Sequence, residues 1–144
     1  MPASVAVSPP RVSRSRSATP LARGHVYIGR GGCDVVIERV LGRIVVKSTP
    51  SDETFAWHPS VDRMVASAMR ALEPRAIVAV ELTGMGDDGA RAITELVKAG
   101  GRSIAEDSST AVVFGMPGEL IRRGGASKVL PSDRIAGQLV DWLM

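Results

Sequence analysis

The sequence predicts an α/β domain with a mostly parallel, doubly wound sheet of the Rossmann-like type, to which an antiparallel hairpin is added. Aromatic residues make up only 3% of the chain although 44% of it is hydrophobic. The core must therefore consist of small aliphatic side chains, as in parallel sheets covered by helices. Runs of β-branched residues alternate with helical apolar periodicity. Residues 76–82 form such a run, and a glycine-rich turn leads from it into a helix.

The first part of the predicted domain is the hairpin. Residues 25–28 predict a short strand that ends at a group of glycines. Residues 34–39 and 43–47 predict two antiparallel strands, because both are rich in Val and Ile and a two-residue connection, 41–42, separates them from each other. Residues 48–59 are predicted to be a loop.

The second part alternates helices with parallel strands. Ser60 predicts an N-cap, and the apolar residues after it recur at helical spacing until shortly before Pro74. The first β-α units of a doubly wound sheet have no counterpart, so we predict that they are missing. The elements predicted after this helix are strand 76–82, helix 88–99, strand 102–106, a short strand within 109–114, helix 117–123, strand 128–130 and a terminal helix from 131 with Ile135, Leu139, Val140 and Leu143 on its apolar face.

Residues 1–23 differ in composition from the rest of the chain. They are rich in Pro, Ser and Arg and contain no acid, so we predict a disordered segment and place the domain at residues 24–144. The same composition resembles an organellar transit peptide, but an unstructured or artefactual start is the preferred interpretation. The remainder of the chain carries 14 basic and 15 acidic residues. This near-neutral balance does not indicate nucleic-acid binding.

Composition also excludes several kinds of site. The sequence contains no run of 18 apolar residues, so we predict no membrane insertion. Cys33 is the only cysteine, which excludes an internal disulfide and a cysteine-rich metal site. His25 and His58 lie far apart and have no metal-ligand spacing around them. We therefore predict neither a metal nor a cofactor.

Residues 84–89 (GMGDDG) match the pattern G-x-G-x-x-G of dinucleotide-binding turns, and Glu106 and Asp107 follow at the distance of the ribose-binding acid. That chemistry needs free N–H groups at the helix N-terminus to meet a pyrophosphate. Asp87 and Asp88 place negative charge there instead. Each carboxylate would cost about 1 kcal/mol or more at roughly 4–6 Å from the phosphates. Nucleotide binding is therefore a distant alternative.

The same two carboxylates favour a different role. A helix N-terminus stabilises an ionised Asp by about 0.3–1 kcal/mol. A charged carboxylate at the end of a strand is what a Ser-His-Asp triad requires, since it accepts the Nδ1–H of the histidine and stabilises the imidazolium. Spacing alone leaves a second interpretation equally open, in which Asp87 or Asp88 is simply an N-cap.

Longer stretches of sequence carry a resemblance. Residues 82–90 (LTGMGDDGA), the later VVFGMP, and the upstream GHVYI and HPSVD are the elements concerned. Together they resemble the C-terminal half of the catalytic domain of CheB-type protein-glutamate methylesterases of bacterial chemotaxis, from about residue 24 to the end. The resemblance implies a hydrolase of the serine esterase type. Such an enzyme removes methyl groups from glutamate methyl esters on chemoreceptors and often deamidates glutamines there.

The resemblance also assigns roles to residues of the turn. It implies that Asp88 is the acid of a Ser-His-Asp triad and that Asp87 occupies a variable position. It implies that Gly84, Met85 and Gly86 line the active site. The protein is expected to be cytoplasmic, with a methylated chemoreceptor (a methyl-accepting chemotaxis protein) as its partner.

The family's nucleophile and histidine have no counterparts in this chain. In the family both precede the GHVYI element, where this chain has neither a glycine-flanked serine nor a histidine. His25 and His58 align with other family positions, Asp34 stands where the family tends to show a histidine, and Gly118 replaces a basic residue. We therefore expect a truncated domain that is inactive alone. The alternative is a non-catalytic remnant or interaction module, which binds a partner that supplies the missing strands.

Overall fold

Residues 11–14 and 18–143, the part of the chain that this computed structural model describes, contain eight strands, four α-helices and a short 3-10 helix (Pro74–Ala76). The strands are β1 (Arg11–Arg14), β2 (Thr19–Pro20), β3 (His25–Ile28), β4 (Cys33–Val40), β5 (Arg43–Pro50), β6 (Val78–Glu81), β7 (Arg102–Glu106) and β8 (Lys128–Leu130). The helices are α1 (Val61–Ala71), α2 (Ala90–Lys98), α3 (Gly115–Arg122) and α4 (Ser132–Leu143).

The predicted hairpin is confirmed. β4 and β5 pair antiparallel over their whole length, and β2 adds to the outer edge of β5. Leu41 and Gly42 both have positive φ, 49° and 79°, which is the two-residue turn geometry that matches the twist of a hairpin. β5 continues to Pro50, so the following loop begins later than the predicted residue 48. The ladder extends because Pro50 is still paired with Cys33.

Part of the segment that we predicted to be disordered forms strands. β1 pairs in parallel with β3, with Arg11 opposite His25, and β2 pairs antiparallel with β5. Composition could not predict these strands, because no apolar alternation marks them and their partners lie later in the chain. The prediction of disorder for residues 1–10 and 15–17 lies outside the described residues.

The second half of the chain forms a parallel sheet in the order β6-β7-β8. β6 and β7 pair with Val78 opposite Arg102, and α2 is the crossover between them. This arrangement confirms the α/β class, with a parallel sheet and a separate antiparallel hairpin. As the composition predicted, the core is built from small aliphatic residues, namely Val65, Ala79, Ala90, Ala92, Ile93, Leu96, Ala105 and Leu120.

The short strand predicted within residues 109–114 does not form. Asp107 organises a turn there instead, because its side chain accepts the Ser109 N–H at 2.9 Å and its carbonyl accepts the Thr110 N–H at 3.2 Å. An Asp side chain that binds the backbone two residues later favours a turn over a strand. The β-branched residues of this segment favour a strand, but the hydrogen bonds of Asp107 stabilise the turn instead.

The last two helices differ from the prediction in detail. α3 begins two residues earlier than predicted. On the predicted apolar face of α4, Ile135 is buried, whereas Leu143 is 67% exposed. The guanidinium of Arg102 lies 5.0 Å from the ring centroid of Trp142 and connects β7 to α4. The described residues therefore cover the apolar face of α4 only at its first turns.

The buried core predicts a large cost for truncating Leu96, which is fully buried on α2. Leu96→Ala should lower the free energy of unfolding by about 2–5 kcal/mol, because it removes buried methyl groups and leaves a cavity. Glu95→Ala, on the exposed side of the same helix, is the matched control and should leave the stability nearly unchanged. Urea unfolding followed by circular dichroism measures both variants. Equal losses in the two would contradict the packing of α2.

Candidate functional site

The turn between β6 and α2 is bonded to the residues just before α3 and to the first turn of that helix. The Gly84 N–H donates to the Val113 carbonyl at 3.0 Å, and the Gly84 carbonyl accepts the Met116 N–H at 2.8 Å. Gly86 has a φ of 97°, and a Cβ at this position would lie 2.9 Å from Cζ2 of the Trp57 ring. Both the positive φ and the close ring contact require glycine here. The GMG motif thus forms a tight turn that packs against Trp57 in the loop before α1.

Asp88 is the buried carboxylate of this turn, with 6% of its surface exposed, whereas Asp87 is exposed. All three hydrogen bonds that Asp88 accepts come from the start of α1. The Val61 N–H donates to Oδ2 at 2.7 Å, and the Asp62 N–H donates to Oδ1 at 3.0 Å. The Ser60 hydroxyl lies 3.3 Å from Oδ1. Asp88 therefore satisfies N–H groups that have no partner inside α1.

Asp62 makes the reciprocal contact. Its Oδ1 accepts the Ala92 N–H, in the first turn of α2, at 2.9 Å. α2 has Gly89 at its N-cap and no side-chain cap of its own. The interpretation of Asp87 or Asp88 as the N-cap of their own helix is therefore wrong, since Asp88 caps the neighbouring helix α1. We call the two contacts, from Asp88 to α1 and from Asp62 to α2, the crossed caps.

The crossed caps weigh against nucleotide binding at this turn. A pyrophosphate needs free N–H groups at the helix N-terminus. The Ala92 N–H is bonded to Asp62, and the Ala90 N–H donates to the Asp87 carbonyl at 3.2 Å. The match to G-x-G-x-x-G therefore gains no support from the geometry of the turn.

Glu81 lies beneath the turn at the end of β6. Its side chain is 2% exposed, and Oε1 has no hydrogen-bond partner among the described residues. Burial, together with the charges of Asp88 and Asp62, raises the pKa of Glu81 to about 8. Gly89 packs directly on the carboxyl group, because a Cβ there would lie 2.5 Å from Glu81 Oε2. Sequence reasoning missed this residue, although an ionisable residue inside the apolar run 76–82 was a visible signal.

A cleft of about 340 Å³ opens beside Asp88. Gly84, Met85 and Gly86, which were predicted to line the active site, do not form its walls, and the Met85 side chain is 72% exposed. The role of these three residues therefore stays a prediction. The walls come from the loop before α1, the start of α1 and the turn, through Thr54, Phe55, Ala56, Trp57, Ser60, Asp62, Asp87, Asp88 and Arg91.

The two histidines have other partners than Asp88. His58 Nδ1 lies 3.1 Å from Asp34 Oδ1. His25 Nδ1 lies 2.9 Å from the carbonyl oxygen of Arg23, and its ring stacks on Tyr27. Within the described residues, then, no histidine makes a hydrogen bond to Asp88. The Asp88 carboxylate thus has no histidine partner in this part of the chain.

Asp34, which stands where the family tends to show a histidine, is fully buried. It accepts Arg63 Nη1–H at 2.7 Å, the Ser60 N–H at 3.0 Å and the Asp52 N–H at 3.2 Å, in addition to its contact with His58. Burial alone would raise the pKa of Asp34, but the hydrogen bonds outweigh it and lower the pKa to about 2. Asp34 therefore connects β4, the loop and α1 as an ionised carboxylate.

The serines near the turn do not supply a nucleophile. Ser108 and Ser109, which are the nearest to a strand end, are exposed, and the Ser109 N–H donates to Asp107. Ser60 is the serine that contacts Asp88, but it is only 1% exposed, and its Oγ accepts the Arg63 N–H at 3.2 Å as the N-cap of α1. Its hydroxyl is therefore used in helix capping.

Residues 11–14 and 18–143 contain neither a metal-binding cluster nor a membrane-spanning helix. No group of three or more His, Cys, Asp or Glu side chains in this part of the chain is arranged to hold a metal ion. None of the helices there is both long and apolar enough to cross a membrane.

Comparison with known proteins decides the family. A model of the CheB methylesterase family matches residues 6–139, which is nearly the whole chain. The chain belongs to the CheB methylesterase family. The match starts before residue 24, where the sequence resemblance began, and thus includes the residues of β1 and β2.

Individual relatives agree with this assignment. Protein-glutamate methylesterase/protein-glutamine glutaminase 3 of Rhodospirillum rubrum is 52% identical over 135 residues, which are 94% of this chain. Protein-glutamate methylesterase FrzG of Myxococcus xanthus is 40% identical over 133 residues, or 92% of the chain. The crystal structure of the Thermotoga maritima CheB methylesterase catalytic domain matches with a TM-score of 0.82 and 33% identity, covering 89% of this chain and 67% of that one. These matches confirm the CheB resemblance and the fold class.

The chain spans only part of the proteins that it resembles. It covers 36% of the length of the Rhodospirillum rubrum protein and 39% of that of FrzG. It covers two thirds of the Thermotoga maritima catalytic domain. The chain thus corresponds to part of a CheB catalytic domain, as the sequence predicted.

The hydrogen bonds of Asp88 predict that it stabilises α1. Asp88→Ala leaves the Val61 and Asp62 N–H groups without an acceptor and should lower the free energy of unfolding by about 1–3 kcal/mol. Asp87→Ala, on the exposed neighbour, is the control and should change the stability little. Thermal and urea unfolding measure the difference. If the two variants behaved alike, the crossed cap to α1 would be refuted.

Proposed function

We propose that this chain is the acid-bearing part of a protein-glutamate methylesterase, in which Asp88 is the third member of a Ser-His-Asp triad. The observation that carries the proposal is the fixed, buried carboxylate of Asp88 in the turn between β6 and α2, beside an open cleft. Family membership supports the assignment of the GMG-x-DG turn to this role. The proposed substrates are the glutamate methyl esters of a methylated chemoreceptor, and glutamines at equivalent positions, in the cytoplasm.

The hydrogen bonds of Asp88 leave room for a histidine. An ionised carboxylate has about four acceptor positions. Two donors use Oδ1, from Asp62 and Ser60, whereas Val61 uses one position on Oδ2. The remaining position on Oδ2 suits the Nδ1–H of a histidine, which would then have a fixed tautomer and orientation. Three fixed donors also prevent the carboxylate from turning away.

In this proposal the serine and the histidine come from polypeptide outside these 144 residues. The histidine removes the proton of the serine hydroxyl, whose oxygen attacks the ester carbonyl, and returns the proton to the departing methoxide. Methanol leaves, and water then releases the glutamate carboxylate by the same two proton transfers. Asp88 stabilises the positive histidine in both steps. Without those two residues the 144-residue chain is expected to be inactive.

A chimaeric protein tests this proposal. The part of the Rhodospirillum rubrum relative that precedes its match would be joined to this chain, and methanol release from methylated receptor membranes would be measured. The chimaera should be active, and Asp88→Asn should reduce its rate by on the order of 10⁴-fold, because the histidine loses its correct tautomer. Asp87→Asn is the matched control and should retain the activity. Methanol release by the 144-residue chain alone, or full activity of the Asp88→Asn chimaera, would overturn the proposal.

A second candidate function is that of an interaction module. β6 is an edge strand, since its described partner is β7 and its other edge is unpaired within the described residues. An apolar cleft of about 200 Å³ lies along it. Leu82, directly after β6, is 51% exposed. An open strand edge next to apolar surface favours association with another strand. The cleft is lined by Ile37, Val61, Met64, Val65, Ala68, Ile77, Val78, Ala79, Val80 and Ile93.

This candidate predicts that the isolated chain associates through the region of β6. Leu82→Lys should shift the chain toward the monomer, because a charge at an exposed strand end discourages edge pairing. Leu143→Lys, which alters an exposed leucine on α4, is the control and should leave the association unchanged. Light scattering after size-exclusion chromatography gives the mass of each variant. A monomeric wild-type chain that unfolds cooperatively would count against the interaction module.

A further inference from the structure

Three carboxyl groups meet where α1 and α2 begin. Asp88 and Asp62 form the crossed caps, so each accepts N–H groups of the neighbouring helix. Glu81 reaches the same place from β6 and lies against Gly89. The two helix N-termini stabilise the negative charges of the capping carboxylates. Glu81 receives no such help, because its Oε1 lacks a hydrogen-bond partner among the described residues.

The charged neighbours of Glu81 have the same sign as its own carboxylate would have. Asp88 faces it from the turn before α2, and Asp62 faces it from α1. On β7 the residue opposite is Ala105, which is fully buried and apolar. An ionised Glu81 would thus be a buried charge without a counter-ion beside two like charges. A carboxyl group in such surroundings retains its proton.

We propose that Glu81 is a proton-operated latch on Asp88. While Glu81 is neutral, the crossed caps hold and Asp88 stays fixed against α1. When Glu81 loses its proton, repulsion from Asp88 and Asp62 loosens the crossed caps and releases Asp88 from the Val61 N–H. The latch consists of residues of this chain and goes beyond the esterase proposal, since it stands whether or not Asp88 serves a triad.

The direction of the pH effect follows from the pKa of Glu81, which is about 8 in the folded protein against an ordinary 4.5. The unfolded chain therefore releases this proton at a lower pH than the folded protein does. The stability contributed by neutral Glu81 is complete below pH 4.5 and is lost as the pH rises toward 8. Asp34, whose pKa is lowered to about 2, contributes in the opposite direction and at more acidic pH. The two effects are therefore separable.

A titration of the intact chain by NMR tests the latch directly. The Glu81 carboxyl carbon should titrate with a midpoint near 8, and the amide nitrogen shifts of Val61 and Asp62 should follow the same midpoint. The hydrogen-exchange protection factors of these two amides should fall by about tenfold between about pH 6.5 and pH 9, because their acceptor becomes mobile. A Glu81 midpoint close to 4.5, or protection that does not change, would overturn the proposal.

Glu81→Gln separates the charge from the packing. Glutamine keeps the shape but cannot ionise, so the protection of Val61 and Asp62 should stay constant across the same pH range. Glu106→Gln is the matched control and should keep the wild-type response, because Glu106 is a buried glutamate on β7 that already accepts the Thr83 N–H at 2.9 Å. A full pH-dependent loss in Glu81→Gln would refute the latch. If Glu81→Gln does not fold, the midpoint of the Glu81 titration in the wild-type chain decides whether the proposal holds.

Discussion

The crossed caps between α1 and α2 are the constraint on which the centre of the structure depends. Two helices that begin side by side bring two positive dipole ends and several unpaired N–H groups together. Asp88 and Asp62 satisfy these N–H groups and place negative charge beside both dipole ends, since Asp88 precedes α2 and caps α1, whereas Asp62 lies in the first turn of α1 and caps α2. The caps thereby fix the position of α1 relative to the end of β6. They also explain why the turn needs carboxylates even before any catalytic role is considered.

The same contacts suit Asp88 to the triad role proposed above. A carboxylate held by three donors keeps one orientation, whereas the exposed Asp87 has no such set of donors among the described residues. Helix capping and the proposed triad role do not compete for Asp88, because the three capping hydrogen bonds leave one acceptor position on Oδ2 unused. The cleft beside Asp88 lies on the side of the loop that carries Trp57. In the proposed triad, the side chain of Asp88 would thus serve both the fold and the reaction.

Much of the fold was predictable, because it depends on local patterns. The hairpin at residues 41–42, the helix after Ser60 and the parallel pair β6–β7 follow from turn residues, capping residues and apolar periodicity. β1 was not predictable, since its partner β3 lies eleven residues further along and its composition suggests disorder. For the site, the family resemblance singled out Asp88, but it could not show that the side chain caps α1. The crossed caps and the burial of Glu81 are long-range contacts, and no spacing within one element encodes them.

The network around Asp34 has a consequence for the order in which the chain becomes structured. All of its hydrogen-bond partners, from Asp52 to Arg63, follow β4 by fewer than thirty residues. Contacts of such short sequence separation close quickly, because little chain entropy is lost. During synthesis from the N-terminus, the hairpin and α1 therefore have their anchoring contacts available before β6 and the turn have been made. The second half of the chain can then pack against α1, whose first amide groups are not yet bonded to the Asp88 carboxylate.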